Sequence, residues 1–327
     1  MGKMNKLLST LKISLLHKPR FGLVLSGGGA QGLAHIGVLK VLEEAGIRPD
    51  YLAGTSMGGV IAAAYAAGLT QEEIKNIATD ISQTRKLMRL ADISLPQHGI
   101  IRGERVLDFF DKHLRGSTFD NLKIPLTLIA VDLNSGQEIQ LKKGSVAEAL
   151  RATVSLPGVF APIERDGMRL VDGGLLNNLP VDVVRQMGAE VVLAVDVDGR
   201  KDSPWRTISR LWPLSSTVGG LIVNLGDSLD VTIRQQRAYK LKDSPPDFLI
   251  QPKIPNKVTV LTGFNRVIEI AAEGEASTRS ILPALEDMLR PHWHWTSNRK
   301  IKLSVKSPVK SSHSTIPAGK VQIGTNP

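Results

Sequence analysis

The sequence contains no cysteine among its 327 residues. This absence excludes a disulfide scaffold, a Cys-ligated zinc or iron–sulfur site and a thiol nucleophile. Aromatic residues make up only 4% of the chain, so a platform of aromatic rings that stack on nucleic-acid bases is not expected. Apolar runs of about 18 residues or more are also missing, and the sequence therefore predicts no membrane-spanning helix. The 42% hydrophobic content is enough for the core of one large domain or two small ones.

The net charge of +10 is concentrated at the two ends of the chain. The ends carry 11 of the 41 basic residues and no acidic residue, namely Lys3, Lys6, Lys12, Lys18, Arg20, Arg299, Lys300, Lys302, Lys306, Lys310 and Lys320. Between residues 21 and 295, 30 basic residues face 31 acidic ones. Basic ends of this kind indicate attraction to an anionic surface, either lipid or nucleic acid, and say little about the chemistry of the fold.

Residues 1–20 form a basic leader whose apolar run is broken by Lys12. No small-residue cleavage site follows it, so it is a poor secretory signal, and Lys6 does not fit a myristoylation motif. Two interpretations stay open: a short amphipathic helix that lies on a membrane, or a frayed leader. At the other end, residues 296–327 are rich in Ser, Pro and Lys, and we expect this basic tail to be disordered.

Hydrophobic patterning predicts strands and helices that alternate between residues 21 and 200. Strands are expected at 21–26, 51–56, 124–133, 138–143, 169–171, 190–197 and 247–252, and helices at 33–46, 57–68, 71–90, 102–114, 145–154 and over much of 204–290. Because the strands are continuously apolar, the sheet should be mainly parallel and covered on both faces. The sequence predicts one α/β domain over 21–200 and a helical extension, 201–295, packed on it.

A glycine-rich loop follows the first of these strands. Gly27, Gly29 and Gly32 form a G-x-G-x-x-G pattern between a predicted strand and a helix. Glycines at such a point allow a tight turn and let bare N–H groups face an anion at the helix N-terminus. The motif is weak by itself, and its position between strand and helix carries most of its weight.

A second motif, G-x-S-x-G, places Ser56 between Gly54 and Gly58. In such a nucleophile elbow the serine hydroxyl rises above the sheet edge, and the flanking glycines relieve the crowding of the turn. Alternatively, Ser56 simply caps the next helix. Because residues 22–56 form one βαβ unit, both motifs lie at the carboxyl ends of neighbouring parallel strands. The N–H groups of Gly28 and Gly29 could then stabilise the oxyanion formed when Ser56 attacks a carbonyl.

None of the seven histidines is a convincing catalytic base. They are His17, His35, His98, His113, His292, His294 and His313. A triad histidine in an α/β-hydrolase comes late in the fold, which leaves only His292 and His294, and these lie at the edge of the basic tail. A catalytic group needs accurate placement, and this position does not favour it.

Asp172 is a better partner for Ser56. It follows a short predicted strand and precedes Gly173 and Gly174. A carboxylate next to a serine hydroxyl can act as its general base when burial raises the carboxyl pKa toward neutrality. Taken alone, the Asp-Gly-Gly tripeptide is more typical of an ordinary turn.

The motifs SGGGAQG, GTSMG and VDGG, in that order, resemble those of the patatin-like phospholipase family. The segments LAHIGVLKVLEEAGI, VDLNSGQE, ALRATVSLPGVFAPI and DGGLLNNLPV are also similar to family segments, so the likeness covers about residues 21 to 198. The nearest resemblance is to small bacterial members and to the catalytic domain of neuropathy-target-esterase-type enzymes. It implies a three-layer α/β/α fold with a mainly parallel central sheet and a helical C-terminal extension.

The resemblance also implies the chemistry. Ser56 would be the nucleophile and Asp172 the general base of a dyad that hydrolyses phospholipid or lysophospholipid to free fatty acid, through an acyl-enzyme and without calcium, metal or cofactor. The oxyanion hole would come from the loop Gly27, Gly28, Gly29, Ala30, Gln31 and Gly32. Gln31 departs from the family, which usually has Arg or Lys there. The departure removes a positive charge from the neighbourhood of the expected site.

A lipid substrate fits the basic ends, because each Lys or Arg near anionic lipid contributes about 1 kcal/mol to membrane attraction. We therefore expect a cytoplasmic protein that binds the inner face of the membrane peripherally, with no specific nucleic-acid partner. The four tryptophans, Trp205, Trp212, Trp293 and Trp295, all lie beyond residue 200. They suit either a lipid interface or ordinary packing.

Two further functions stay open from the sequence. A dinucleotide-binding domain also begins with strand–GxGxxG–helix, but it needs an acidic residue at the end of the second strand, where this chain has Thr55 and Ser56 and places Asp50 before the strand instead. A hydrolase-like scaffold that binds membranes or a partner and turns over poorly is the other possibility, supported by Gln31 and the long tail.

Overall fold

The computed structural model describes residues 16–83, 101–197, 216–260 and 262–293, together with residues 90 and 92. Its strands are β1 (Leu16–His17), β2 (Phe21–Leu25), β3 (Tyr51–Thr55), β4 (Leu126–Asp132), β5 (Gln137–Leu141), β6 (Ile163–Arg165), β7 (Met168–Asp172), β8 (Val191–Val195), β9 (Phe248–Ile250) and β10 (His292–Trp293). The α-helices are α1 (Ala34–Glu44), α2 (Ser56–Ala66), α3 (Gln71–Ile81), α4 (Glu104–Leu114), α5 (Val146–Thr153), α6 (Val181–Met187), α7 (Ser216–Asp243) and α8 (Val267–Leu289). Short 3₁₀ helices lie at Gly29–Leu33, Phe119–Asn121, Gly173–Leu175 and Phe264–Arg266.

The central sheet has the strand order β6-β7-β4-β3-β2-β8-β9, with β5 also paired to β4. The strands β4, β3, β2, β8 and β9 run parallel to one another, whereas β5, β6 and β7 are antiparallel to their neighbours. The predicted mainly parallel sheet is therefore confirmed. The sequence pattern missed β6, because a three-residue edge strand is too short to show a periodic pattern.

Helices cover both faces of this sheet, as predicted. Along β2, Leu23 and Leu25 point into the larger core that helices α1, α2 and α8 complete. Val24 points the other way, into a smaller core that includes Val183 and Val184 of α6. Successive residues of a strand face opposite sides, so a strand buried on both faces has to be apolar throughout, as Phe21–Leu25 is.

Helix α3 is shorter than the predicted 71–90. It begins with a capping box, in which the Glu73 N–H donates to Thr70 Oγ1 at 3.2 Å and the Thr70 N–H donates to the Glu73 carboxylate at 2.8 Å. It ends at Ile81, where the hydroxyl of Ser82 donates to the Thr79 carbonyl at 2.7 Å and so competes with continued helical bonding. Residues 84–89 of the predicted helix lie outside the described residues.

Helix α8 packs directly against α1. At their crossing, a Cβ on Gly37 would collide with the Ala271 carbonyl, and a Cβ on Gly274 would collide with the Ala34 carbonyl. Lys40 Nζ also lies 2.8 Å from a carboxylate oxygen of Glu275. The C-terminal part of the chain thus contributes both a helix layer and, through β9, the edge of the central sheet.

A small second sheet joins the two ends of the described chain. β1 pairs antiparallel with β10, with Leu16 opposite Trp293 and His17 opposite His292. The leader to residue 15, Trp205, Trp212, Trp295 and the tail 296–327 lie outside the described residues. Among the helices that the structure describes, none is long and apolar enough to cross a bilayer.

Candidate active site

Ser56 lies at the junction of β3 and α2 in an unusual backbone conformation. Its φ angle is +52°, a left-handed value that costs a non-glycine residue about 1–2 kcal/mol. The Ser56 N–H donates to Thr153 Oγ1 at 3.0 Å, and the Thr153 hydroxyl in turn donates to the carbonyl of Ile129. Backbone strain of this kind, held by a buried side chain, is typical of a functional turn.

Helix α2 passes close above the end of β2, and Gly58 makes this possible. A Cβ at that position would collide with the carbonyl oxygens of Leu25 and Ser26. On the other side of the turn, a Cβ on Gly54 would lie 2.8 Å from the Gly58 carbonyl oxygen. Only glycine satisfies both spacings, so the G-x-S-x-G pattern is needed for the sharp turn that carries Ser56.

The glycine loop after β2 lies beside Ser56. A Cβ placed on Gly27 would be 3.1 Å from Ser56 Cβ. The Gly27 N–H donates to the Asn178 carbonyl at 3.2 Å, the Ala30 N–H to the Val260 carbonyl at 3.3 Å and the Gln31 N–H to the Gly28 carbonyl at 3.2 Å. These three N–H groups are therefore engaged within the protein.

The N–H groups of Gly28 and Gly29 have no backbone acceptor among the described residues. Gly29 has a φ angle of +57°, and a Cβ there would collide with the Val260 carbonyl. Gly32 lies inside the 3₁₀ helix Gly29–Leu33. The family resemblance implied the whole loop as the oxyanion hole, and the sequence motifs pointed to the N–H groups of Gly28 and Gly29 within it. The internal hydrogen bonds of the loop leave these two N–H groups without a backbone acceptor among the described residues.

The register of the sheet brings Asp172 to the end of β3. On β4, residues Leu128 and Ile129 pair with both β3 and β5, so these two strands occupy opposite edges of β4. β7 pairs with Ala130 to Asp132, where β5 also pairs, and β7 must therefore share the edge of β4 that β3 uses. Thr55 lies opposite Ile129 and Asp172 opposite Ala130, so the two strand ends meet head to head beside Ser56.

Asp172 is buried, with only 6% of the residue exposed. One carboxylate oxygen accepts the Gly174 N–H at 2.8 Å, and the Asp172 N–H donates to the Ser155 carbonyl at 3.0 Å. Gly173 is as tightly placed, because a Cβ there would collide with the Ile129 carbonyl. The Asp-Gly-Gly turn is thus an ordered loop in contact with β4 and the segment after α5.

Residues 23–185 match the sequence model of the patatin-like phospholipases. This chain belongs to the patatin-like phospholipase family. It is 37% identical over 198 residues to an NTE family protein of Mycobacterium tuberculosis, an alignment that covers 61% of this chain and 54% of the relative. It is 35% identical over 189 residues to patatin-like phospholipase domain-containing protein 6 of Homo sapiens, covering 57% of this chain and 14% of that protein. The chain thus aligns with about half the length of the bacterial relative.

Among solved structures, VipD from Legionella pneumophila is similar, with a TM-score of 0.45 and 12% identity over 82% of this chain and 67% of that one. The family predicted from the three motifs is confirmed by the sequence match. The three-layer arrangement of the patatin-like domain, described above, also agrees with that prediction.

Two asparagines that sequence reasoning did not single out connect the loops of the patatin-like site. Asn178 Nδ2 donates to the Gly27 carbonyl at 3.4 Å, which adds to the bond from the Gly27 N–H. Thr55 Oγ1 donates to the Asn177 carbonyl at 2.8 Å. Both asparagines are buried. A polar pair inside the apolar segment LLNNLPV was the only signal in the sequence that could have indicated them.

Arg151 is a second buried group that the sequence analysis missed. It is 1% exposed, and its guanidinium donates to the carbonyls of Arg102, Gly103 and Ala161 and to the hydroxyl of Ser155. Burial lowers the pKa of Arg151 to about 10, so it stays charged at neutral pH. Because the Ser155 carbonyl accepts the Asp172 N–H, this cation supports the loop behind Asp172.

His35 is fully buried and has a structural role. Its Nε2 lies 2.9 Å from the Ser26 carbonyl, and Nδ1 has no partner among the described residues. Burial, only partly offset by the bond to Ser26, lowers the pKa of His35 to about 4. A neutral ring with no exposed surface supports the glycine loop from below.

His292, one of the two late histidines considered as a catalytic base, is far from Ser56. His292 pairs with His17, and the His17 ring lies 2.9 Å from the carboxylate of Glu190, the residue that precedes β8. This pairing places β10 near the amino ends of the parallel strands, at the opposite edge from Ser56. His113 is engaged with the Phe109 carbonyl on α4 at 2.8 Å, and His98, His294 and His313 lie outside the described residues.

A second aspartate, Asp132, lies at the same edge of the sheet as Asp172. Its carboxylate accepts the Ser135 hydroxyl at 2.7 Å and the Arg169 N–H at 2.9 Å. The Ser135 bond and the backbone donors hold the pKa of Asp132 down at about 2. Asp132 therefore stays ionised to close the turn after β4, which leaves Asp172 as the carboxylate next to the elbow.

Gln31 and Asp50 lie at opposite edges of the central sheet. Gln31 is 3% exposed, and its Oε1 has no partner among the described residues. Asp50 accepts the Phe21 N–H at 2.7 Å, at the amino edge of the sheet and away from the glycine loop. A cleft of about 350 Å³ lies at that same amino edge, lined in part by Lys18, Phe21, Arg48 and Glu286.

Proposed function

We propose that this chain is a serine hydrolase that cleaves acyl ester bonds of lipids with Ser56 as nucleophile and Asp172 as general base. The observation that supports it most strongly is the meeting of two strand ends, with the left-handed Ser56 on one and the buried Asp172 on the other. Family membership of residues 23–185 indicates the same chemistry. Neither a metal nor a cofactor has a role in the proposed reaction.

In the proposed first half-reaction, Ser56 Oγ attacks the ester carbonyl while its proton passes to Asp172. The negative charge that develops on the carbonyl oxygen is stabilised by the N–H groups of Gly28 and Gly29. Collapse of this intermediate transfers the proton from Asp172 to the leaving alcohol and leaves an acyl group on Ser56. Water, deprotonated by Asp172, then releases the fatty acid and restores the hydroxyl.

We propose phospholipid or lysophospholipid as the substrate class, with calcium not required. The basic ends of the chain would bring the enzyme to an anionic membrane surface, from the cytoplasmic side. Gln31 supplies no positive charge next to the glycine loop, so headgroup preference is expected to depend little on the phosphate.

The test measures two activities in the presence of EDTA: release of p-nitrophenol from a medium-chain ester and release of fatty acid from lysophosphatidylcholine. Ser56→Ala and Asp172→Asn are each expected to lower kcat by roughly 10³-fold or more, because each removes a group that acts directly on the reacting atoms. Asp166→Asn is the matched control, since Asp166 is an exposed aspartate in the β6–β7 turn.

Labelling by a fluorophosphonate probe provides a second readout, because only an activated serine reacts. Wild type and Asp166→Asn should be labelled and Ser56→Ala should not. Wild-type turnover no higher than that of Ser56→Ala, with no labelling, would contradict the proposal. The remaining interpretation would then be a patatin-like scaffold that binds lipid surfaces without turnover.

A further inference from the structure

Helix α7 carries a lysine that is shared by two carboxylates from other elements. Lys240 Nζ lies 2.9 Å from Glu138 Oε2 on β5 and 2.6 Å from Asp182 Oδ2 on α6. The three side chains are only 19–27% exposed. Burial acts to lower the pKa of Lys240, but the bonds to Asp182 and Glu138 outweigh it and raise the pKa. The cation is therefore firmly charged between two anions.

The same two carboxylates hold the side chain of Asn177. Its Nδ2 donates to Glu138 Oε2 at 3.1 Å and to Asp182 Oδ1 at 2.9 Å, and the residue is 1% exposed. The Asn177 carbonyl accepts the hydroxyl of Thr55, the residue directly before Ser56. A continuous chain of polar contacts thus runs from Lys240 to the turn that carries the nucleophile.

Asn177 also fixes the loop that follows Asp172. The Asn177 N–H donates to the Gly173 carbonyl at 2.9 Å, which closes the turn around the carboxylate. The next residue, Asn178, holds Gly27 by two bonds. The orientation of the Asn177–Asn178 segment therefore affects the nucleophile turn, the Asp172 loop and the glycine loop together.

A second cationic side chain of α7, Arg237, contacts the segment that lies next to the glycine loop. Arg237 lies 3.0 Å from Asp196, which is 1% exposed and also accepts from Gln251 at 2.9 Å. The next residue, Val197, donates its N–H to Ser26 Oγ at 3.0 Å, just before the glycine loop. Residues three apart lie on one face of a helix, so this face of α7 reaches both halves of the site.

We propose that Lys240 is a positioning residue, and that α7 braces the nucleophile turn and the two flanking loops through it. The catalytic consequence rests on the proposed function. Without Lys240, two carboxylates would share one amide with no counter-charge and would repel each other. Asn177 would then lose its fixed orientation, and Thr55 would lose a rigid acceptor.

The test compares Lys240→Met, Lys240→Arg and Lys242→Met on a soluble ester. Lys242 is an exposed lysine on the same helix and serves as the matched control. Lys240→Met is expected to lower kcat about 10-fold to 100-fold with KM within about twofold, since small misplacements of reacting groups affect chemistry far more than binding. Lys240→Arg should keep at least half of the wild-type kcat, and Lys242→Met all of it. Lys240→Met with wild-type kcat would overturn the proposal.

Hydrogen–deuterium exchange gives a readout that does not need activity. In Lys240→Met, peptides that cover 51–60 and 170–180 should exchange faster than in wild type, whereas Lys242→Met should match wild type. Unchanged exchange in both peptides would also overturn the brace. If wild type shows no turnover, the proposed function fails, while exchange still decides this proposal.

The double variant Glu138→Gln/Lys240→Met guards against a simple loss of folding. It leaves a single carboxylate on Asn177, so the repulsion is removed along with the cation. Its kcat should recover severalfold from that of Lys240→Met, and its exchange in the two peptides should slow. A double variant no better than Lys240→Met in both measurements would contradict the role of charge balance.

Discussion

At the scale of single residues, the conformation of Ser56 depends on a threonine 97 positions away along the chain. Thr153 is fully buried, and its one hydroxyl accepts from Ser56 and donates to Ile129. A buried hydroxyl with both roles filled fixes its two partners relative to each other. The left-handed turn at Ser56 is thus held by a buried side chain from a distant segment of the chain.

Thr153→Val is therefore expected to lower kcat on a soluble ester about tenfold, because the isosteric side chain leaves the Ser56 N–H without its acceptor. Thr79→Val is the control, since Thr79 is exposed on α3 and its hydroxyl donates to the Lys75 carbonyl of the same helix. The measurement is a comparison of kcat values for the two variants. Equal kcat values would show that the turn at Ser56 does not need Thr153.

The burial of His35 predicts how the free energy of unfolding depends on pH. Its folded-state pKa of about 4 lies below the unfolded value near 6.5, so the unfolded chain binds more protons between these values. The contribution of neutral, buried His35 to the free energy of unfolding is therefore present above pH 6.5 and is lost as the pH drops toward 4. For this one group, we expect the free energy of unfolding to fall by about 2 kcal/mol between pH 7 and pH 5.

Urea unfolding at the two pH values, on wild type and His35→Gln, measures this effect. Glutamine cannot titrate, and its amide can still donate to the Ser26 carbonyl. The variant should lose about 2 kcal/mol less than wild type between pH 7 and pH 5. The same loss in both proteins would mean that other groups cause the pH dependence.

At the scale of elements, the crossing of α1 and α8 fixes the C-terminal part against the patatin-like domain. The helices approach until backbone meets backbone, at Gly37 against Ala271 and at Gly274 against Ala34. Such an approach allows no side chain at either glycine. Helix α1 follows directly from the glycine loop, so its packing against α8 affects the position of that loop in the candidate site.

Gly274→Ala tests this contact through the sign of the change in the free energy of unfolding. Intrinsic helix propensity alone would make alanine about 1 kcal/mol more stable than glycine. The collision with the Ala34 carbonyl should reverse this sign and cost about 1–3 kcal/mol. Thermal or urea unfolding of the variant measures the difference, and any gain in stability would show that the helices can move apart freely.

At the scale of the whole molecule, the excess positive charge and the candidate site belong to different parts of the sequence. The basic residues of the ends contrast with a nearly neutral body, and the groups of the candidate site come from the body. Electrostatic attraction to a membrane surface adds over the basic residues near it. The ends should therefore affect where the enzyme acts and leave its chemistry unchanged.

Deletion of residues 296–327 is expected to weaken binding to anionic phosphatidylserine vesicles by at least tenfold at low salt, because six basic residues are lost. Its kcat on a soluble ester should stay within about twofold of the wild-type value. Vesicle co-sedimentation and the ester assay measure the two quantities. Loss of ester activity would instead point to a catalytic group in the tail, such as His313.

The sequence was sufficient for the family, the mainly parallel sheet and the location of most elements. Strong periodic patterns, such as Phe21–Leu25 and Ala34–Glu44, show their type locally because their burial repeats along the chain. The motifs around Ser56 and Asp172 were enough to indicate these two residues from the sequence alone. The sequence pattern could not show the three-residue strand β6 or the early end of α3, because short edges and helix ends depend on a few side-chain contacts.

Only the tertiary structure decided how the parts of the site meet. The register on β4 places Asp172 at the end of β3, and hydrogen bonds to the carbonyls of Asn178 and Val260 hold the glycine loop in place. The links from Thr153, Asn177 and Lys240 to the site join positions far apart in sequence. Residue types and local periodicity can be read directly from the sequence. These contacts, in contrast, form only after strands from distant segments have aligned, and no local pattern encodes that alignment.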